Sequence, residues 1–290
     1  MKAMDEKALT ACRICSSTEC EPHLEKSGVQ IYQCQSCGVQ FWNPEHIEEI
    51  EKIYSRDYFV SESAPTGYNN YFSLEQALRK VFRKRLKRMK KMNPGIATYL
   101  EVGSGPGFFL DEAARFHIRA TGVEVSEFAC AWGRNHLNIS LIAGKVEDSS
   151  LPRDSFDVAC MWDVIEHLPN PVSTLRHIRG LLKSGGELWL STGDAGSLAA
   201  RLSGKRWHLY NIPEHLFFFN GKSIRKALQL AGFEMRLSFH ETVYVPLSYI
   251  RERLVKTLNL PLPFFKKSTI LIPINLFDVM TVYAKKSSAV

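Results

Sequence analysis

Four cysteines near the start of the chain have the spacing of a metal site. They form two Cys-x-x-Cys pairs separated by eighteen residues, Cys12 with Cys15 and Cys34 with Cys37. Four thiolates complete the tetrahedral shell of a Zn²⁺ ion and leave no open position for a reacting group. The spacing therefore predicts a zinc site with a structural function.

The remaining cysteines do not form a comparable pattern. Cys20 and His23 lie between the two pairs and are alternative ligands, although ordinary loop positions explain them as well. Cys130 and Cys160 lie in apolar sequence and are predicted to be inert core residues. The chain has no run of eighteen apolar residues and no apolar leader, and its cysteine spacing favours metal over disulfides. We therefore expect a cytoplasmic protein.

A glycine-rich segment predicts a site for a nucleotide-like ligand. Gly103, Gly105 and Gly107 follow an apolar stretch that contains Glu101. Glycines allow a ligand to approach the backbone closely where a strand ends. A dinucleotide-binding motif would place its third glycine at position 108, which is occupied by Phe108, so the spacing fits pyrophosphate binding poorly.

A carboxylate on the next predicted strand completes this site. Glu124 follows Gly107 by seventeen residues, and its two oxygens can accept hydrogen bonds from both hydroxyls of a ribose. Trp162, at the end of a later strand, is predicted to lie against the same ligand. Filling of core space is the alternative interpretation of Trp162.

The order of these motifs resembles the class I S-adenosylmethionine (SAM)-dependent methyltransferases. The glycine loop is similar to their motif I, and the segment 146–148 is similar to the part that brackets the adenine, which adds Glu147 and Asp148 to the expected cofactor contacts. The segment 163–171, DVIEHLPNP, resembles the motif of the branch related to ubiquinone-biosynthesis O-methyltransferases. The cysteine module with the following FWNP resembles those of methyltransferases in sugar and polysaccharide biosynthesis.

This resemblance implies SAM as cofactor and directs attention to the histidines. A hydroxyl acceptor must lose a proton, and an imidazole can take it near neutral pH. His167 is the first candidate for this base, with His215 and His208 as alternatives; packing at a helix start is the other interpretation of His167. In ubiquinone-type relatives the positions of Asp163, Glu166 and His167 can hold Mg²⁺, but three residues are too few to require the ion.

The elements that position these residues alternate between strand and helix from residue 98 onward. This pattern predicts a parallel sheet covered by helices. With the resemblance, we expect an α/β fold: a Rossmann-like class I methyltransferase sheet, mostly parallel with an antiparallel last strand, plus a small N-terminal zinc-ribbon-like module. The predicted regions are a zinc module at 1–44, a helical linker or cap at 45–95, and a methyltransferase domain at 96–290 with an acceptor cap at 194–220 and 241–277.

The net charge of +7 originates largely in one segment. Residues 79–91 contain nine of the 37 lysines and arginines and no acidic residue. The apolar residues recur at helical spacing, which predicts an amphipathic helix with a solvated basic face; a surface for phosphate, RNA or anionic lipid is the alternative. The apolar segment 258–277 is predicted to pack around the last strand, with peripheral membrane contact as its alternative.

These features predict transfer of a methyl group from SAM to a small-molecule or glycan-type acceptor, at a hydroxyl oxygen. An RNA methyltransferase that uses the zinc module and the basic helix is the first alternative. A non-catalytic SAM-binding zinc-ribbon interaction protein is the second. No stable nucleic-acid partner is favoured, and the sequence does not determine the oligomeric state.

Overall fold

The architecture comes from a computed structural model that describes residues 11–44, 52–60, 71–258 and 268–287. Residues 45–51 and 61–70 of the predicted linker or cap at 45–95, and residues 259–267 of the apolar segment 258–277, lie outside the described residues.

The described strands supply one large sheet and two small ones. They are β1 (Cys20–Lys26), β2 (Val29–Cys34), β3 (Gln40–Phe41), β4 (Thr98–Val102), β5 (Arg119–Glu124), β6 (Ser140–Ala143), β7 (Phe156–Trp162), β8 (Leu182–Gly193), β9 (Phe217–Phe218), β10 (Phe233–His240), β11 (Val243–Pro246), β12 (Leu271–Ile274) and β13 (Val279–Lys286).

The described α-helices mostly lie between these strands in the chain. They are α1 (Arg56–Val60), α2 (Glu75–Met92), α3 (Phe108–Ala114), α4 (Glu127–Leu137), α5 (Pro171–Leu181), α6 (Leu198–Ser203), α7 (Gly221–Leu230) and α8 (Leu247–Leu258). Short 3-10 helices lie at Lys52–Tyr54, Tyr71–Leu74, Val146–Asp148, Ile165–His167 and Gly204–Arg206. In the part of the chain that the structure describes, we find no helix with the length and apolarity needed to cross a bilayer.

The large sheet has seven strands in the order β10-β13-β8-β7-β4-β5-β6. Strands β4 to β8 are mutually parallel, whereas β13 runs antiparallel to both β8 and β10. The prediction of a mostly parallel Rossmann-like sheet with an antiparallel last strand is therefore confirmed. Since parallel strands end at one common edge, the loops after β4, β5 and β7 meet there.

The central strands are apolar because helices cover both faces of the sheet. In β7, which reads FDVACMW, all residues except Asp157 are buried. Continuous burial of this kind is expected of a parallel strand between two layers of helices. The Asp157 carboxylate lies near the start of the strand and accepts hydrogen bonds from the backbone of Ala97 and Thr98, which fixes β4 beside β7.

The N-terminal cysteines belong to a separate four-stranded sheet in the order β1-β2-β3-β9. Its first three strands come from the N-terminal module, which we define as residues 11–44. Its last strand is β9, from the acceptor-cap region, where Gln40 pairs with Phe218 and Phe41 with Phe217. The module is therefore joined to the rest of the protein through a shared sheet.

The basic segment forms helix α2, but its arginines are not all solvated as expected. Val81, Phe82, Leu86 and Met89 are buried on its apolar side, in agreement with the predicted spacing. The structure also buries two arginines of this helix, which corrects the expectation of a fully solvated basic face. Burial is tolerated because each guanidinium has carboxylate partners from neighbouring elements.

The partners of these arginines are specific. Arg79 contacts Glu75, Asp111 and Glu112, with Nη1 3.1 Å from Glu112 Oε1. Arg85 Nε donates to Glu241 Oε2 at 2.8 Å. These ion pairs attach the basic helix to α3 and to the segment after β10, so much of its charge is neutralised within the chain.

Candidate active site

The glycine loop after β4, residues 103–107, has the backbone conformation that its sequence predicts. Gly103 and Gly107 have φ values of +70° and +89°, in the region that favours glycine. A Cβ atom at Gly103 would lie 2.5 Å from Val164 Cγ2, and one at Gly107 would lie 2.0 Å from Ile139 Cδ1. Glycine is therefore required at both positions, and the loop lies tightly against its neighbours.

Glu124 lies directly beside this loop, at the end of β5. Its Oε2 accepts a hydrogen bond from the backbone N–H of Gly105 at 2.8 Å, and its Oε1 accepts one from Ser126 N–H at 2.9 Å. Burial raises the pKa of this carboxyl, while the two backbone hydrogen bonds oppose the rise. The structure thus places the glycine loop and Glu124 side by side, as expected of residues that were predicted to contact the same ligand.

Glu101 is a second buried carboxylate near the loop. It is 2% exposed, and its Oε2 has no hydrogen-bond partner among the described residues. Burial raises its pKa well above the ordinary value, the charge of Glu124 adds to the rise, and Arg85 opposes it. An unpartnered buried carboxylate oxygen fits the cationic ammonium group of a methionine moiety, which is the group that SAM would present to motif I.

The other expected cofactor contacts differ in position. Glu147 lines a cavity of about 1120 Å³ and accepts a hydrogen bond from the Thr174 hydroxyl. Asp148 is exposed and does not line the cavity. Trp162 lines it with one face against the guanidinium of Arg85, whose Cζ lies 4.1 Å from the ring centroid. Trp162 thus packs in the core and borders the cavity at the same time.

His167 and His215 lie side by side, with ring centroids 4.7 Å apart and planes at 87°. His215 Nδ1 is 2.9 Å from Leu209 O, and His167 Nδ1 is 2.8 Å from Glu214 O. Each Nδ1–H therefore donates to a carbonyl, which leaves both Nε2 atoms as acceptors in the neutral rings. His208, the third candidate, is separate from this pair and lies 3.5 Å from Asp278.

Burial lowers the pKa of both imidazoles, and by different amounts. The pKa of His167 is lowered by desolvation and partly restored by its hydrogen bond to Glu214. The pKa of His215 lies well below 6.5 because desolvation is reinforced by the neighbouring His167. Two adjacent imidazoles resist double protonation, so a proton that enters the pair goes to His167.

Three further residues of the site were missed at the level of sequence. Tyr54, Tyr58 and Tyr71 line the cavity, although their segment was interpreted as a linker or cap. The Tyr54 hydroxyl lies 2.9 Å from His167 Nδ1. The signal that could have found them is the density of aromatic residues between 54 and 72, which is unusual for a solvated linker.

The burial of Arg85 and Glu166 was also not predicted: Arg85 was interpreted as part of a solvated basic face, and Glu166 as a possible magnesium ligand. Arg85 was assigned to the basic helix, yet it is 4% exposed and lines the cavity. Glu166 is 3% exposed, its Oε2 has no partner in the described part of the chain, and burial raises its pKa to about 8. Neither feature has a sequence signal, because each depends on contacts between distant segments.

The four N-terminal cysteines form one cluster, with all four Sγ atoms within 4.8 Å of one another. The Sγ atoms are 3.6 Å apart in both the Cys12–Cys37 and the Cys15–Cys34 pairs. Zn–S bonds of about 2.3 Å in a tetrahedron place sulfurs about 3.8 Å apart, so the cluster fits Zn²⁺. The contact between the Cys12 and Cys37 thiols lowers the pKa of Cys12 and raises that of Cys37, so the pair gives up one proton more readily than the second.

A magnesium site fits the observed geometry poorly. The ligand-capable atoms that lie within 4.8 Å of one another are those of Glu166, His167 and His215, and Asp163 is outside that group. Asp163 instead accepts a hydrogen bond from the Ser191 hydroxyl at 2.9 Å. Two imidazoles and one carboxylate do not suit a cation that prefers an octahedron of oxygens. No step is therefore assigned to magnesium.

One cavity of about 1120 Å³ connects these groups. Gly103, Gly105 and Glu124 line one part of it, and His167 and His215 line another. Such a volume lies just above the usual range of small-molecule sites, about 300–1,000 Å³. The cavity has room for a nucleoside-sized ligand together with a second molecule.

Comparisons with known proteins agree with this geometry. A family profile described as a methyltransferase domain matches residues 74–238. The ubiquinone biosynthesis O-methyltransferase of Coxiella burnetii is 31% identical over 126 residues, which cover 42% of this chain and 50% of that protein. The corresponding protein of Aeromonas salmonicida is 25% identical over 162 residues, 51% of this chain and 67% of its own length. The chain spans about half the length of the first of these curated relatives.

Solved structures show the same fold at low sequence identity. A SAM-dependent methyltransferase from Archaeoglobus fulgidus has a TM-score of 0.51 and 18% identity, and the match covers 74% of this chain and 99% of that one. The [4+2]-cyclase SpnF has a TM-score of 0.50 and 18% identity, with 71% and 82% covered. The fold alone therefore does not specify the reaction. With more than half of its length matched by the family profile, the chain belongs to the methyltransferase family, in the class I SAM-dependent group.

Proposed function

We propose that the protein transfers a methyl group from SAM to a hydroxyl oxygen of a small-molecule or glycan-type acceptor. The observation that carries this proposal is the shared cavity, which is lined both by the glycine loop with Glu124 and by the two imidazoles. A methyl donor held at the first set would share one cavity with an acceptor held at the second. Alignment of donor and acceptor is the main contribution that a protein makes to such a displacement.

The cofactor end is assigned to residues at the edge of the parallel sheet. Glu124 would accept hydrogen bonds from the ribose hydroxyls, and Glu101 would face the ammonium group of the methionine part. The glycine loop would lie against that part, with Trp162 and Glu147 at the sides. When bound, SAM supplies a methyl carbon that is already activated by its positively charged sulfur.

The acceptor end is assigned to His167 as the base, with His215 beside it. His167 Nε2 would take the proton of the acceptor hydroxyl, whose oxygen would replace sulfur on the methyl carbon of bound SAM, with S-adenosylhomocysteine as the second product. His167 suits this function because its pKa is lowered less than that of His215. A base works best when its pKa lies near the operating pH.

Several observations favour a small acceptor over RNA. The arginines of helix α2 are engaged inside the chain: Arg79 and Arg83 contact Glu112, and Arg85 and Arg88 contact Glu241. Lys80 lies over the ring of Tyr244, with Nζ 3.9 Å from the centroid. Cations paired in this way are less available for a phosphate backbone. The lead acceptors are thus small molecules or sugars.

We also propose one structural Zn²⁺ at Cys12, Cys15, Cys34 and Cys37. Its support is the match between their sulfur separations and a tetrahedral shell. All seven cysteines are free thiols, which agrees with the cytoplasmic location that we propose.

The test is an incubation of purified protein with methyl-labelled SAM and three separate acceptor pools. The pools are sugar nucleotides, phenolic compounds and RNA, and the label is traced after separation of the products. We expect label in the first or second pool. Uptake by RNA alone would overturn the choice of acceptor, and failure to bind SAM or S-adenosylhomocysteine in calorimetry would overturn the proposal as a whole.

A further inference from the structure

The N-terminal module contacts the segment that carries His167. Arg13 lies inside the first cysteine pair, and its Nη2 donates a hydrogen bond to Pro169 O at 2.7 Å. The same guanidinium lies over Phe217, with Cζ 4.9 Å from the ring centroid. The side chain therefore joins the cluster of cysteines to the loop after β7 and to strand β9.

The module also contacts the segment that carries His215. The indole N–H of Trp42 donates to His215 O at 2.7 Å, and its backbone N–H donates to Leu216 O at 3.2 Å. Leu216 N–H in turn donates to Glu166 O at 2.8 Å. The two histidine segments are thus bonded to each other and both are bonded to the module.

Two more contacts hold the same segment on either side of His215. Asn220 Nδ2 donates to Gly38 O at 2.7 Å, next to the second cysteine pair. The Tyr210 hydroxyl donates to Gln40 Oε1 at 2.6 Å. The segment from 210 to 220 is therefore hydrogen-bonded to the module before, at and after His215.

The environment of Arg13 argues for a specific function of this side chain. Its Nε is buried without a hydrogen-bond partner, and none of its contacts in the described part of the chain is with a carboxylate. Such a position costs free energy that a solvated arginine avoids. Four thiolates around Zn²⁺ carry a net charge of about −2, which would favour a cation beside Cys12.

We propose that Arg13 and Trp42 are positioning residues for the transfer reaction. They fix the backbone at Pro169 and at His215, so that the imidazoles of His167 and His215 keep their mutual orientation in the cavity. This inference depends on the proposed function for its catalytic meaning, although the orientation itself can be measured independently of activity.

The titration of the two imidazoles reports on that orientation. The groups that face them are Tyr54 from the 3-10 helix at 52–54, Asp163 and Glu166 from the loop after β7, and Glu214 and His208 from the acceptor-cap region. If the two backbone segments move apart, the imidazole rings become more exposed to solvent and no longer contact each other. Both changes bring their pKa values closer to the ordinary one.

The experiment compares Arg13→Met and Trp42→Phe with the wild-type protein, in the full chain loaded with zinc. Arg13→Met keeps the apolar stem, and Trp42→Phe keeps a ring but removes the indole donor. Arg119→Met is the matched control, because Arg119 is exposed at the start of β5. The readouts are imidazole titrations by NMR, S-adenosylhomocysteine affinity by calorimetry, and kcat and KM for any acceptor found.

In both variants we expect the pKa of at least one of the two imidazoles to move by about 0.5 toward 6.5. We expect kcat to fall about tenfold while affinity for S-adenosylhomocysteine stays within about twofold of wild type. Arg13→Lys should recover part of the loss, because it keeps the charge and one donor.

The inference is overturned if Arg13→Met and Trp42→Phe lower the melting temperature but leave both imidazole titrations as in the wild type. It is also overturned if Arg119→Met produces the same changes. Should Arg13→Met fail to fold, Arg13→Lys and Trp42→Phe decide the question by the same titrations. If the wild-type protein does not bind S-adenosylhomocysteine, the proposed function is contradicted. The titration result still tests whether Arg13 and Trp42 orient the imidazoles.

Discussion

The two ends of the cavity are built in different ways. The proposed cofactor end consists of the glycine loop and Glu124, which lie at the ends of two neighbouring strands within 22 residues of sequence. The Gly105 backbone N–H donates a hydrogen bond to the Glu124 carboxylate and joins them. The proposed acceptor end consists of side chains from segments that are far apart in the chain, namely His167, His215 and the neighbouring Tyr54. One end is a local motif and the other is a product of tertiary packing. Changes at the two ends should therefore separate cofactor binding from methyl transfer.

The largest effect that we expect is on the transfer step, in the variant His167→Asn. Loss of the base should lower kcat by about 100- to 10,000-fold, with unchanged affinity for S-adenosylhomocysteine. Kinetics with an identified acceptor, together with calorimetry, provide the measurement. The control is His117→Asn, since His117 is exposed and asparagine tolerates its positive φ. If His215→Asn is the more damaging of the two histidine variants, the assignment of the base is reversed.

The next effect concerns the cofactor end, in the variant Glu124→Gln. An amide cannot accept from both backbone donors and from both ribose hydroxyls, so we expect affinity for S-adenosylhomocysteine to fall about 10- to 100-fold. Glu127→Gln is the matched control, because Glu127 is exposed in the first turn of α4. Equal calorimetric affinities for wild type and Glu124→Gln would remove Glu124 from the cofactor site and weaken the contrast between the two ends.

A smaller effect is expected from loss of the metal at the cysteine cluster. Cys34→Ser should reduce the zinc content from about one ion per chain. It should lower the melting temperature by about a few degrees and kcat about a few-fold. Cofactor affinity should change least, because the glycine loop belongs to the other sheet. Cys20→Ser is the control, since Cys20 is not part of the four-sulfur group. A wild-type protein without bound zinc after purification in zinc-containing medium would contradict this prediction.

The smallest effect is a pH dependence of the acceptor end. The folded-state pKa of His167 is lowered from 6.5 by burial, so the neutral base persists below pH 6.5 and the acidic limb of kcat/KM should have its midpoint there. Because the unfolded chain binds that proton more readily, the contribution of His167 to the free energy of unfolding should decrease as the pH falls below 6.5. It is measured as the difference between wild type and His167→Asn, since the raised pKa of Glu166 changes the total in the opposite direction. Rate profiles and melting curves between pH 5 and 8 measure both effects. A midpoint above 6.5 would show that burial does not control this group.

The contrast also explains what could be predicted from the sequence. The start of the alternating strands at residue 98 was predicted correctly, because apolar periodicity and glycine turns are local signals, and the antiparallel last strand followed from the family resemblance. The assignments of individual site residues stay predictions until the variants are measured.

Other side chains that reach the cavity from distant segments lacked such signals. Arg85 is one of several arginines in a basic helix, and the periodicity of that helix does not reveal that a tryptophan and Glu241 lie opposite it. The shared sheet is equally hidden, because β9 has only two residues and pairs with a strand that is also only two residues long. Contacts over large sequence separations depend on the whole fold.

The pairing of Gln40 with Phe218 also affects when the module can mature during synthesis on the ribosome. The first three strands emerge before β9, so their open edge gains its neighbour only after the intervening strands β4 to β8 have left the exit tunnel. The backbone groups at the edge of β3 would therefore stay unpaired while the large domain is translated, even if zinc is already bound. Nascent chains arrested before residue 217 should carry that edge uncovered, and chaperone binding would be strongest in that interval.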